Sequence, residues 1–325
     1  MLTFSTEDLR VQDRFDHWCE VRGRSLFGVT IELERERRAA FHGRFVARAF
    51  GGAIVSEMHA SCYRIRRTEA DIAQRPGQSL CIGLQVRGPG WLETGRVPVQ
   101  SVAASELTIA HSDMAFHAVP AHWGSFEYHM LKIPISGEIL LDARAHDLHA
   151  AKLPASAPAA RALRALFGVV VRGHAPLRDP VADVAHAARL ALIARGRLPA
   201  GSPEGRAALR AGLLYAARDI LVRDMAQPKL SPTRVAQELG ISLRQVHVLF
   251  EPTGRSFSRT LTDIRLEAAR RLLGSAPAMP IIALAYACGF ESLSVFYRAF
   301  QAAYGLTPRE LRRAPAEPAH RDAHP

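Results

Sequence analysis

Two short stretches place hydrogen-bonding side chains on the outside of otherwise apolar segments. In the first, Arg244, Gln245, His247 and Val248 stand outward while Val246, Leu249 and Phe250 form an apolar stripe. In the second, Leu293, Ser294, Tyr297 and Arg298 stand outward, against a stripe of Val295, Phe296, Ala299 and Phe300. Each follows the same lead-in. Val235-Ala236-x3-Gly240 precedes a helix ending at Phe250 and a glycine at Gly254, and Leu284-Ala285-x3-Gly289 precedes one ending at Phe300 and Gly305. Alanine lets two helices cross closely, and glycine fits a turn that needs a left-handed backbone. The repeat therefore predicts two helix-turn-helix units that read successive stretches of major groove.

The elements that position these side chains are legible from their ends. Ser231-Pro232 starts a helix, with Ser as N-cap and Pro in the first turn, and Ser242 caps the first outward-facing helix. Pro252 and Gly254 stop it. A helix from about Ser258 to Leu273 joins the two units and would span roughly 24 Å, a rod able to set two reading helices about one DNA turn, roughly 34 Å, apart. The second reading helix is expected from Ser292 to Ala302, and Thr307-Pro308-Arg309-Glu310 is a capping box that opens a last short helix.

Charge follows the same division. The 325-residue chain has a formal net charge of +11. Between Gly205 and Arg313 there are 16 Lys and Arg against 8 Asp and Glu; the remainder has 26 against 23. A basic C-terminal third is the footprint of a phosphate-binding surface. With 48% hydrophobic residues the chain can bury a real core. Cys19, Cys62, Cys81 and Cys288 have no zinc-type spacing and are expected as reduced thiols. The first residues lack a basic and apolar leader, and no apolar run is long enough to cross a bilayer, so a cytoplasmic protein is expected.

The N-terminal part changes period. A helix over residues 10–26 would bury Phe15, Trp18 and Val21, and short β-like runs follow from Phe27 to Ile135. Leu80, Ile82, Leu84 and Val86 alternate with Cys81, Gly83, Gln85 and Arg87, and Gly88-Pro89-Gly90 predicts a hairpin turn. Helices are predicted near 158–172, 180–195 and 203–225, and the Ala/Pro/His-rich tail after Arg313 is expected to be disordered.

With these residues in view, the C-terminal third resembles the AraC/XylS-type transcriptional regulators. The resemblance is carried by Leu230-Ser231, Ala236, Gly240, Ser242, Arg244, Phe250, Gly254, Phe257, Arg265, Leu266, Ala269, Leu272, Leu273, Ala285, Gly289-Phe290, Phe296, Arg298, Phe300, Gly305, Pro308 and Arg312. It implies a seven-helix DNA-binding domain whose base-contacting positions are Arg244, His247, Val248, Leu293, Ser294, Tyr297 and Arg298, with Ser242 and Gln245 beside them. Val248 departs from the arginine common there, so a contact is lost or replaced by apolar contact with a thymine methyl. Arg298 either reads a guanine, or binds phosphate or caps a neighbouring helix instead. More loosely, Trp18, Arg66-Arg67-Thr68 and the strands 80–86 and 107–109 resemble a cupin-like sensor domain; Ala103-Ala104-Ser105-Glu106 stands where that family has a Pro-Gly-Asp turn.

The expected architecture is α+β: a β-rich cupin-like sensor over 1–150, a helical connector and dimerisation region over 151–204, an all-α domain with two helix-turn-helix units over 205–313, and a tail. In the sensor, Tyr63, Ile65 and Arg67 share a strand face. Arg67 either pairs with an internal carboxylate such as Glu57 or Asp71, or meets an effector acid. Tyr63, Phe116, Trp123, Phe126 and Tyr128 either line a pocket or fill core. His111, His117, His122 and His129 raise a metal-enzyme alternative, but no His-x-His pair, nucleophile motif or phosphate loop accompanies them. A non-specific architectural DNA binder is a third alternative, disfavoured by the large β-rich half. The resemblance implies an effector-responsive activator without cofactor or metal, whose partners are double-stranded DNA, a small-molecule effector, a second copy and RNA polymerase, with no membrane.

Overall fold

The computed structural model describes residues 1–135, 145–154, 157–172 and 179–313. The predicted tail after Arg313 lies outside the described residues. The chain forms two compact units, Met1–Ala216 and Ala217–Pro325, divided inside one long helix.

In the first unit the strands are β1 (Leu2–Ser5), β2 (Thr30–Glu32), β3 (Gly43–Phe50), β4 (Ala53–Ser61), β5 (Arg64–Arg67) and β6 (Ser79–Arg87). They continue as β7 (Gly90–Glu93), β8 (Gln100–Val102), β9 (Glu106–His111), β10 (Phe116–Pro120), β11 (Ser125–Pro134) and β12 (Ala151–Lys152). Seven form an antiparallel sheet in the order β1-β3-β4-β11-β6-β9-β12, and five a second in the order β2-β5-β10-β7-β8. Gly88-Pro89-Gly90 does not make the predicted hairpin. β6 pairs with β9 and β11, whereas β7 pairs with β8 and β10, so the turn carries the chain from one sheet to the other.

The larger sheet is covered on both faces. Helices α1 (Arg14–Trp18), α2 (Arg35–Arg38) and α3 (Glu69–Gln74) belong to the β-rich part; α4 (Pro158–Arg172), α5 (Pro180–Ala194) and α6 (Pro203–Asp224) follow it. Leu80 and Ile82 of β6 share one core with Leu163, Leu166 and Phe167 of α4 and Val184 and Leu190 of α5. The intervening Cys81 and Gln85 face a cavity. The period-2 alternation thus separates a helix-packed face from a cavity face. A Cβ on Gly212 would stand 2.7 Å from the Ala162 Cβ and 2.8 Å from Leu190 Cδ1, so α6 crosses its neighbours closely.

The first helical segment departs from its expected face. Phe15 and Trp18 are buried, and the Trp18 ring lies where a Cβ on Gly43 would be, 2.6 Å away. After Trp18 the chain widens into a π-helical turn, Cys19–Phe27. That turn buries Arg22 and Gly23 and leaves Val21 half-buried, so the inward residue is an arginine where the sequence pattern predicts valine.

The second unit contains the end of α6 followed by α7 (Pro232–Leu239), α8 (Leu243–Phe250), α9 (Phe257–Ser275), α10 (Ile281–Ala287), α11 (Leu293–Tyr304) and α12 (Pro308–Arg313). α9 packs against α8, α10, α11 and α12, which makes it the shared spine of both helix-turn-helix units. Its 19 residues correspond to about 28 Å. Gly240 at φ 67° and Gly289 at φ 82° end α7 and follow α10, as the turn chemistry requires. A Cβ on Gly289 would also meet the Met225 carbonyl at 2.1 Å.

Candidate nucleic-acid interface and ligand cavity

The first candidate reading helix, α8, is built from its cap. The Ser242 hydroxyl accepts from the Gln245 backbone N–H at 3.2 Å, and the Gln245 side chain accepts from the Ser242 N–H at 2.8 Å. The two side chains therefore hold the helix start and lie exposed beside it. Arg244 and His247 are exposed and Val248 is half-buried, while Val246, Leu249 and Phe250 are buried. Leu243, missed in the sequence reading, is 46% exposed at the first helical position. An apolar residue there is suited to a thymine methyl.

In α11, Ser292 caps the helix through the Val295 N–H, and its hydroxyl lies 3.3 Å from that of Ser294. Ser294 and Arg298 are exposed. Two placements differ from the expected stripe. Val295 is 45% exposed, not core. Leu293 and Tyr297 are partly buried against the cluster around Phe296 and Phe300. At about 100° per residue, Phe296 and Phe300 lie about 40° apart on the buried face, while Val295 stands about 100° or more from both. The Tyr297 ring meets Phe296 edge-on at 6.0 Å.

Several arginines of this unit are held by internal partners. Arg223 binds Asp224 and Glu238, and Arg255 and Arg259 bind Asp263. Hydrogen bonds from Arg223 hold the Asp224 carboxyl below its ordinary range. Arg265 donates to the Met225 carbonyl at 2.9 Å and the Gln227 carbonyl at 2.8 Å, tying α9 to the segment after α6. Arg244 and Arg298 have no ion pair among the described residues and are left outward on α8 and α11.

The cavity lies between the two sheets of the first unit and measures about 240 Å³. Tyr63, Arg67, Phe116 and Tyr128 line it, as does Phe126; Trp123 does not. The Trp123 ring is instead covered by the guanidinium groups of Arg37 at 4.4 Å and Arg64 at 5.5 Å. The Tyr128 hydroxyl occupies the space that a Cβ on Gly83 would need and stands 3.4 Å from the Thr108 hydroxyl.

Arg67 is the internal strut of this half. It is 4% exposed. Its Nε donates to the Ser112 carbonyl, Nη1 to the carbonyls of Phe27 and Gly28, and Nη2 to the Arg75 carbonyl at 2.7 Å and to Asp113 at 3.2 Å. All five guanidinium donors are thereby used, which leaves none for a ligand carboxylate. The internal partner is Asp113, not Glu57 or Asp71: Glu57 lies on β4, and Asp71 caps α3 through Thr68. Burial would raise the Asp113 carboxyl, but the Gly77 and Gln78 N–H groups, Ser112 and Arg67 hold it below its ordinary range.

Among the basic cavity side chains, Arg22 and Lys132 were not singled out in the sequence, and His111 was singled out only for a metal role. Arg22 is 6% exposed, stacks on Phe27 at 4.7 Å and Tyr63 at 5.9 Å, and has no hydrogen-bond partner for Nε or Nη1 among the described residues. The signal for it was an arginine four residues after Trp18, on the apolar side of the helix. His111 Nδ1 accepts from the Asp113 N–H at 3.0 Å, while its Nε2 is buried without a partner. Burial holds the imidazole below its ordinary pKa, against the opposing pull of Asp113. The other histidines are dispersed: His117 is beside Glu93, His129 beside Glu127, and His122 is exposed. Among the described residues no group of three or more His, Cys, Asp or Glu is placed to hold a metal ion. The four cysteines are free thiols, and burial pushes Cys81, in the cavity wall, up to about 11. No described helix is long and apolar enough to cross a membrane.

Residues 235–314 match the family described as a helix-turn-helix domain. The chain is 38% identical over 119 residues to the HTH-type transcriptional regulator GlxA of Rhizobium meliloti (strain 1021), a stretch covering 35% of this chain and only 36% of that one. It is 25% identical over 327 residues to the transcriptional activator NphR of Rhodococcus sp, covering 96% and 93% of the two chains. The crystal structure of the AraC-like transcriptional activator CuxR matches with a TM-score of 0.50 at 18% identity, over 88% of this chain and 100% of that one, a likeness of fold. The second unit is a double helix-turn-helix DNA-binding domain. Its helix-turn-helix domain is of the AraC type, and the chain carries it after a β-rich unit, a likeness of fold to the AraC-like activator CuxR.

Proposed function

We propose that the protein is a sequence-specific transcriptional regulator whose β-rich unit takes a small effector and whose helical unit reads DNA. The observation that carries this reading is the pair of capped helices α8 and α11, each presenting an outward arginine, Arg244 and Arg298, without an ion-pair partner among the described residues. Base-edge and phosphate contacts then fall to Ser242, Arg244, Gln245, His247 and Val248 on one helix and to Leu293, Ser294, Tyr297 and Arg298 on the other. Leu293 and Tyr297 contribute through their exposed edges. The spine α9, about 28 Å long, sets the two on one side of the duplex, about one turn apart.

The working form is a cytoplasmic activator without enzymatic activity or cofactor, which acts as a homodimer and engages RNA polymerase. Residues 1–150 sense the effector, 151–204 connect and dimerise, and 205–313 bind DNA. Effector binding shifts the population between arrangements that do and do not hold both DNA modules in register. The interior cavity, with Tyr63, Phe116 and Tyr128 in its wall, supports a small ligand in the β-rich unit.

Selection of binding sites from random duplexes with the full-length chain, followed by footprinting, tests this. The expected site contains two protected major-groove segments one turn apart. Enrichment of no sequence would instead identify an architectural DNA binder.

A further inference from the structure

We propose that the cavity of the β-rich unit is a site for a monocyclic carboxylic acid, anchored by Arg22. This rests on the effector-cavity reading above and names the chemistry of its ligand.

Three observations converge. The first is the state of Arg22. An arginine keeps its charge when buried, because its pKa is too high for it to escape by losing a proton. A buried charge without a counter-ion is costly and normally finds an acceptor. Arg22 is nine-tenths buried, yet its Nε and Nη1 have no partner among the described residues. Phe27 and Tyr63 support the guanidinium by their ring faces, but a ring face leaves in-plane N–H donors unused. Those donors form the flat fork that matches a carboxylate.

The second observation is the sign of the wall. Arg22, Arg67, Lys132 and His111 line the cavity, and among the described residues no aspartate or glutamate does. Arg67 is neutralised by its own partners. His111 presents Nε2 as a donor, since its Nδ1 already accepts the Asp113 N–H. The wall thus offers unused donors and two cations, Arg22 and Lys132, with no ion pair among the described residues, a field that favours an anion.

The third is size and surface. An apolar cavity of about 150 Å³ admits benzene. The space here is about 240 Å³, enough for one ring with a carboxylate and one small further substituent. Most of the remaining wall is aromatic or aliphatic, including Phe126 edge-on to Tyr63 at 5.2 Å. The π-helical turn that buries Arg22 is itself an uncommon geometry, often found where a side chain is aimed for function.

The test uses the full-length chain and matched probes: benzoate, phenylacetate and cyclohexanecarboxylate, each against its neutral primary amide. Calorimetric titration and thermal shift are read together, since a ligand of the folded state raises its apparent stability. At least one acid is expected to bind at least tenfold tighter than its amide. Arg22→Gln is expected to remove that preference, and Arg22→Lys to retain part of it. Amides binding as well as acids would overturn the anionic assignment and leave the effector cavity standing. Neither series binding would overturn both. An Arg22→Gln chain that folds, by its circular dichroism, and still prefers acids would place the anchor elsewhere. If Arg22→Gln fails to fold, the acid-to-amide ratio of the unsubstituted chain, measured with and without Tyr63→Leu, decides. A preference that is absent, or untouched by removing the ring beside Arg22, overturns the proposal.

Discussion

Arg22 and Arg67 line one cavity as opposites: every N–H of Arg67 has an acceptor, whereas Nε and Nη1 of Arg22 have none among the described residues. The same residue type therefore serves as a strut in one position and as an unpaired charge in the other.

Opposite stability effects follow from that difference. Arg67→Met strands Asp113 and four carbonyl groups, and is expected to cost about 3–5 kcal/mol. Arg22→Met removes a buried charge with no counter-ion; with the lost ring stacking subtracted, a gain of about 1 kcal/mol is expected in the ligand-free protein. Urea unfolding of the two variants beside the parent chain checks both. A destabilised Arg22→Met chain would mean that its contacts with Phe27 and Tyr63 outweigh the unpaired charge.

Acid should weaken the first unit before carboxylates titrate. Burial lowers the pKa of His111, His149 and His186 below the ordinary 6.5. The unfolded chain then takes up these protons first, so their contribution is intact above about pH 6.5 and declines as pH falls below it. Asp183, raised by burial, acts in the opposite sense at lower pH. Chemical denaturation at pH 7.5 and 5.5 should show the loss. His111→Asn, which can still accept the Asp113 N–H, should reduce it. A flat profile would show that these rings are hydrated in solution.

Much of this was legible in the sequence, and the exceptions share a cause. The capping residues Ser231 and Ser242 and the turn glycines Gly240 and Gly289 act within a few residues, so their roles can be read directly from the chain. The three middle helices begin at Pro158, Pro180 and Pro203, where proline marks the first turn. What escaped depends on partners distant in sequence. Arg67 finds Asp113 and the Arg75 carbonyl only after two strands and a loop converge. Gly88-Pro89-Gly90 marks a turn locally, but whether the next strand stays in the sheet depends on which neighbours claim β6. Val295 and Leu293 exchange expected places because helix rotation relative to the core is set by Phe296 and Phe300, not by hydrophobicity alone.

The packing of α6 on α5 contains a polar bond whose removal should be felt. The Tyr215 hydroxyl lies 3.1 Å from both oxygens of Asp183, which is 6% exposed. Tyr215→Phe leaves that carboxylate without the hydroxyl and is expected to cost about 1–3 kcal/mol near neutral pH. The hydroxyl favours the ionised form, so removing it raises the Asp183 pKa further. The cost should therefore shrink as pH falls and Asp183 protonates. Denaturant unfolding at two pH values checks the sign; a pH-independent loss would trace to packing instead.

Base reading and phosphate binding separate by their response to sequence and salt. If Arg244 and Arg298 hold base edges, Arg244→Ala and Arg298→Ala should each weaken binding to a selected site by roughly 1–3 kcal/mol and leave binding to scrambled duplex nearly unchanged. If either holds phosphate, the loss should be equal on both duplexes, and the salt dependence should flatten by about one released counter-ion. Leu243→Ala should act only where a thymine faces the start of α8, because a methyl contact has no counterpart on the backbone. Equal losses on both duplexes for all three would show that α8 and α11 position the domain on the backbone and that sequence is read elsewhere.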